Sequence, residues 1–129
     1  MARRAPTKPT EAEMEILQVL WRQGPATVRQ VNRRINRDRR TGYTTTLKLM
    51  QIMLGKGLLT RDESTRPQVY APAVSRDKAQ RQLVGQMLEK VFEGSTSRLV
   101  MQALSAKKAS PEELAEIRRL IRKHGEKSR

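Results

Sequence analysis

Three consecutive hydroxyl side chains, Thr44, Thr45 and Thr46, are preceded by Tyr43 and followed by Lys48. Hydroxyls bond base edges or phosphates, and a threonine methyl packs on the methyl of thymine. Four arginines flank this group, Arg39 and Arg40 before it and Arg61 and Arg66 after it. Guanidinium groups there suit phosphate oxygens, contacts that give affinity and salt dependence without reading sequence. The chemistry is recognition of a polyanion rather than the making of bonds. Thr44 has a second reading as a helix cap, and Tyr43 either reaches a phosphate through its hydroxyl or staples the helix start.

These side chains act together only if the backbone presents them on one face. From about Thr44 to Leu54, the residues Leu47, Met50, Met53 and Leu54 recur at helical spacing and take the inward side, which predicts that the three threonines and Lys48 are exposed. Gly55-Lys56-Gly57 ends that helix. Leu58–Asp62 and Gln68–Pro72 then read with a period of two around the turn formers Glu63–Pro67, the pattern of a hairpin. Two strands cannot stand alone and must pack on helices.

Two helices precede the threonines. Thr10 and Glu13 have the spacing of a capping box, and Met14, Ile16, Leu17, Leu20 and Trp21 form an apolar face that Gly24-Pro25 terminates. Trp21 belongs to the core and is assigned no binding role. Thr27 caps a second helix to about Ile35, with Val28, Val31 and Ile35 inward and Arg29, Arg33 and Arg34 on the other faces. Asn36 to Gly42 is a charged loop. Helix, helix, loop, exposed helix and hairpin is the order of a winged helix-turn-helix, whose third helix is shaped for the DNA major groove.

Beyond Pro72 the chain is helical again. Ser75 caps a predicted helix of about 18 residues, a length set by its apolar face of Leu83, Val84, Met87, Leu88, Val91 and Phe92. Gly94 ends it. A shorter helix from about Thr96 to Leu104 carries Leu99, Val100, Ala103 and Leu104, and Ser110-Pro111-Glu112-Glu113 opens a last helix presenting Leu114, Ile117, Leu120 and Ile121. Three such helices are too few to cover their apolar faces within one chain, so a second copy is expected. Leu83, Val84, Met87, Leu88, Val91, Phe92, Leu99, Ile117 and Ile121 are the candidate dimer contacts.

The fold class is thus mainly α with a small β-hairpin wing. The expected divisions are a disordered basic tail over residues 1–8, a winged-helix DNA-binding domain over 9–74, a helical dimerisation region over 75–124 and a flexible tail over 125–129.

Composition agrees with a polyanionic partner. The 129 residues carry 27 Lys and Arg against 13 Asp and Glu, a formal charge of +14. Residues 1–74 hold +8 of it and residues 75–129 hold +6, so charge alone does not select the binding half. No cysteine is present, which excludes disulfides and thiolate chemistry. No apolar run is long enough to span a membrane, and the basic N-terminus lacks the apolar core of a secretory signal, so a cytoplasmic protein is expected. The single His124 has no nucleophile or carboxylate constellation around it in sequence, and neither a phosphate loop nor a metal or cofactor motif is present.

TEAEMEILQVLW from Thr10, GYTTTLKLMQIMLGKGLLTRDE from Gly42, VYAPAVSRDKA from Val69 and SPEELAEIRRLIRK from Ser110 together resemble the BlaI/MecI penicillinase-repressor family over roughly residues 9 to 124. That resemblance implies a homodimeric winged-helix repressor on a palindromic operator, with intertwined C-terminal helices and a membrane metalloprotease as a further partner. In antibiotic-responsive members a protease cuts an Asn-Phe bond in the helix after the glycine break. Here Ser97–Leu104 holds no such pair, and Gln102-Ala103 stands in its place. Copper-responsive relatives carry a cysteine cluster, which this chain lacks, so a copper-thiolate switch is excluded. Two other readings stay open on sequence: an architectural nucleic-acid binder without base preference, and a winged protein-protein module.

Overall fold

The computed structural model describes residues 8–127, so the expected basic tail lies outside the described residues except for the exposed Lys8. The first helix, α1 (Glu11–Gln23), starts where the sequence places it. Thr10 Oγ1 accepts from the Glu13 N–H at 3.2 Å, and Glu13 Oε1 accepts from the Thr10 N–H at 2.9 Å. The same Glu13 oxygen accepts from Lys56 Nζ at 2.7 Å while the residue is almost wholly buried. A buried carboxylate is tolerated there because it is both hydrogen-bonded and paired. A second capping box, Thr27 with Gln30, opens α2 (Val28–Asn36).

Next come α3 (Tyr43–Gly55), β1 (Leu59–Asp62) and β2 (Val69–Pro72). Gly57, at φ +81°, lets the chain leave α3 and enter β1 through a left-handed turn that a side chain would strain. The strands pair antiparallel with Leu59 opposite Pro72 and Arg61 opposite Tyr70. A third piece of backbone joins them: Ala26 donates to the Tyr70 carbonyl at 3.0 Å and accepts from its N–H at 2.8 Å. The Gly24-Pro25 break therefore does more than stop α1, because it turns the chain so that Ala26 can hold the base of the hairpin.

Three helices follow: α4 (Arg76–Lys90), α5 (Thr96–Ala106) and α6 (Pro111–Lys127). Ser75, Ser95 and Ser110 each accept a backbone N–H three residues on, at 3.1, 3.2 and 3.0 Å respectively. Two expectations are corrected here. Val91 and Phe92, predicted on the long helix, lie in the turn after it, because Glu93 and Gly94 both take positive φ and the Gly94 N–H bonds the Leu88 carbonyl at 2.7 Å. Residues 125–127, predicted as flexible, are the last turn of α6; a glycine at position 125 costs a helix only about 1 kcal/mol relative to alanine and does not end it.

The chain divides into two compact units, one through Met87 and one from Leu88. In the first, α1, α2, α3 and the hairpin close over Ile16, Leu17, Leu20, Val31, Met50, Met53 and Leu58. The start of α4 belongs to this unit: Ala79 is buried in its core, Leu83 packs against it, and Trp21 Nε1 donates to the Val74 carbonyl at 3.2 Å. Leu83, predicted as a dimer contact, thus has a covering within its own chain. In the second unit neither α5 nor α6 fully buries any side chain.

Candidate nucleic-acid interface

The turn between α2 and α3 is fixed by two asparagines. Asn32 Nδ2 donates to the Thr41 carbonyl and to Thr46 Oγ1, both at 2.9 Å. Asn36 Nδ2 donates to the Asn32 and Thr41 carbonyls, both at 2.8 Å, and its Oδ1 accepts from the Thr41 N–H at 3.0 Å. Four of these five bonds end on backbone, so the turn is tied to α2 and the first turn of α3 has a set direction.

Thr46 corrects the sequence expectation. It is fully buried rather than exposed, because it lies four and seven residues before Met50 and Met53 on the inward stripe of α3. Its hydroxyl is the acceptor that Asn32 needs in the core. The exposed face consists of Thr44, Thr45 and Lys48, and it continues through Gln51 and Ile52 one turn on. Gly42 is the N-cap and makes no side-chain bond, so Thr44 is not the cap of this helix. That leaves Thr44 and Thr45 exposed in the first turn of α3.

The arginines behave less uniformly than their residue type suggests. Arg39 grips Glu15 on α1 with Nη2 at 2.6 Å and Nε at 3.2 Å, and its Nη1 donates to Thr41 Oγ1 at 3.0 Å. The Glu15 carboxylate raises its pKa above the ordinary arginine value. Arg61 donates to Glu63 at 2.8 Å, and that carboxylate, with the Tyr70 hydroxyl second, raises its pKa as well. Arg66 folds back onto the Glu63 and Thr65 carbonyls at 2.8 and 3.1 Å. Three of the four predicted phosphate contacts are therefore engaged within the unit, for the physical reason that carboxylates and turn carbonyls lie within reach. Arg40 and Lys48 are exposed and form no ion pair among the described residues.

Sequence reasoning passed over two cations. Arg29 and Arg33 are exposed on α2 and lie four residues apart, on one face. The Arg29 guanidinium sits 4.8 Å from the centre of the Tyr43 ring, a cation-π contact that ties the start of α3 to α2. The four-residue spacing was the available signal. In the wing, Asp62 Oδ1 accepts from the Ser64 N–H at 2.9 Å and from its hydroxyl at 2.6 Å, and these bonds hold the carboxyl below its ordinary pKa.

A core of three helices, an anchored turn, an exposed third helix and a hairpin fastened at its base is the frame of a winged helix-turn-helix. The family described as penicillinase repressor matches residues 9–123. The chain belongs to the penicillinase repressor family. No curated protein gives a significant match. Proteins of the penicillinase repressor family are regulatory, DNA-binding transcriptional repressors, and this member has a predominantly helical fold with a small two-stranded antiparallel hairpin, consistent with a winged helix. No helix among the described residues is long and apolar enough to cross a membrane.

Proposed function

We propose that this penicillinase repressor family member acts as a homodimer on an inverted-repeat operator, each α3 reading one half-site in the major groove. The observation that carries the reading is the outward face of α3, where Thr44, Thr45 and Lys48 stand free of the core above a turn locked by Asn32 and Asn36. Arg40 adds a phosphate contact beside it. Two half-site surfaces at fixed spacing multiply a modest individual affinity through effective concentration.

Dimerisation is supported by what the second unit leaves open. Val91 is 63% exposed and Ile121 62%, and Leu120, Met101 and Leu104 are also exposed. Ile117, Leu120, Ile121 and His124 line an apolar cleft of about 430 Å³ with Thr96. A second copy would cover such faces. Release by proteolysis belongs to the same reading: Gln102 and Ala103 are exposed in α5, and a cut between them separates the end of that helix and all of α6 from the reading unit. The protease the family resemblance supplies is a membrane metalloprotease.

Selection of bound fragments from a randomised duplex pool, with full-length protein near physiological salt, tests the proposal. An enriched inverted repeat is the expected result, and Thr45→Ala should then weaken discrimination at particular base pairs by about 1 kcal/mol or more. Binding without an enriched motif would replace the repressor reading with that of an architectural protein.

A further inference from the structure

A groove of about 520 Å³ runs between the exposed face of α2 and the wing, walled by Arg29, Arg33 and Tyr43 on one side and by Gln68 and Tyr70 on the other. Its size falls within the roughly 300–1,000 Å³ typical of small-ligand sites. No carboxylate lines it, and Arg33 has no ion pair among the described residues. Its walls are held by the Ala26 to Tyr70 backbone pairing and by Arg29 over the Tyr43 ring, so it is preformed. Cations at the wing tip do not compete for the same partner, since Arg61 and Arg66 bond Glu63 and the turn carbonyls.

Resting on the DNA-binding reading above, we infer that this groove seats the sugar-phosphate backbone of the operator beside the start of α3, with Arg29 and Arg33 each neutralising one phosphate. Tyr43 makes the placement specific. It is the first residue of α3 and also a wall of the groove, so a strand whose bases meet Thr44 and Thr45 passes its backbone along the α2 side. Arg29 and Arg33 are one helical turn apart, about 6 Å along the helix axis, close to the spacing of successive phosphates on one strand. The side-chain amide of Gln68 supplies a neutral donor on the far wall. The contact is to phosphate and not to bases, so it sets register and salt dependence rather than base preference.

The experiment is a salt series of operator affinity for wild type, Arg29→Gln with Arg33→Gln, and Arg34→Gln, each as full-length protein. Arg34 lies on the same helix, but it is paired with Asp38 at 3.0 Å and does not line the groove, so its variant controls for the loss of a single positive charge from α2 outside the groove. The paired groove variant should flatten the slope of log affinity against log salt by about two per protomer, since each phosphate neutralised contributes about 0.9. Arg33→Gln alone, which leaves Arg29 over the Tyr43 ring, should keep the wild-type base preference, and two ethylated phosphates per half-site that block wild-type binding should no longer matter to the paired variant. Arg34→Gln should keep the wild-type slope. An unchanged slope in the groove variant, with wild type still selecting an inverted repeat, overturns this inference alone. A wild type with no salt-dependent duplex binding overturns it together with the repressor reading.

Discussion

The two units treat apolar side chains in opposite ways. Among the described residues, the first unit buries fifteen of them, from Met14 to Ala79, whereas from Leu88 onward none is buried. Both segments are rich in leucine, isoleucine and valine, so composition does not make the difference. Topology does. In the first unit three helices cross and a hairpin closes the remaining side, so each apolar stripe meets another stripe of its own chain. In the second, α5 and α6 are amphipathic, but with so few elements each helix leaves part of its stripe open. The first unit has a core of its own, whereas α5 and α6 bury no side chain within the chain.

The sharpest way to break that contrast is to compare Leu17→Ala with Ile121→Asp. Leu17 is wholly buried, and its truncation should cost about 2–5 kcal/mol, a loss independent of protein concentration in urea or thermal melts. Ile121→Asp should leave the melt of the first unit unchanged and abolish self-association in sedimentation experiments. Wild-type helical signal from the second unit should melt at temperatures that rise with protein concentration. If Ile121→Asp still sediments as a dimer, the proposed covering surface is wrong.

A smaller effect tests whether the first unit's polar interior is as closed as its apolar one. Asn32→Ala removes the donor to buried Thr46 and one of the two amide donors to the Thr41 carbonyl, and should cost about 1–3 kcal/mol in chemical unfolding. Because the same bonds aim α3, it should also blur discrimination at base pairs sensitive to Thr45→Ala. The smallest effect belongs to the wing turn. The Asp62 carboxyl titrates below its ordinary 3.8 because Ser64 bonds its ionised form. Its contribution to the turn is therefore complete above that value and is lost as pH falls through the lower folded value. Ser64→Ala should move the Asp62 midpoint back toward 3.8 in a carboxyl NMR titration.

Much of the fold was legible because its signals are local. Capping residues at Thr10 and Thr27, apolar spacing in α1 to α3 and the change of period after Gly57 all act within a few residues. Signals that act across space were not legible. Thr46 looks like its two neighbours in sequence, and only the register of α3 against the core separates a buried acceptor from exposed hydroxyls. Arg39 differs from Arg40 only because Glu15, twenty-four residues earlier, lies within 2.6 Å. The Ala26 to Tyr70 pairing joins residues forty-four apart, and nothing in either segment announces it. For the same reason the α2 side of the interface was overlooked: Arg29 and Arg33 matter through the neighbours they face.

That backbone pairing has an evolutionary consequence. Ala26 and Tyr70 are joined through main-chain atoms, and both side chains point into the core, while Thr44, Thr45, Lys48 and the wing tip face solvent. This mount therefore shares no side chain with the exposed face of α3, although Tyr70 also lines the groove beside the wing. Substitutions can change which sequence is preferred without disturbing the mount, so a lineage built on this frame can acquire new target genes by a few exchanges on α3 and still inherit the same rigid shape.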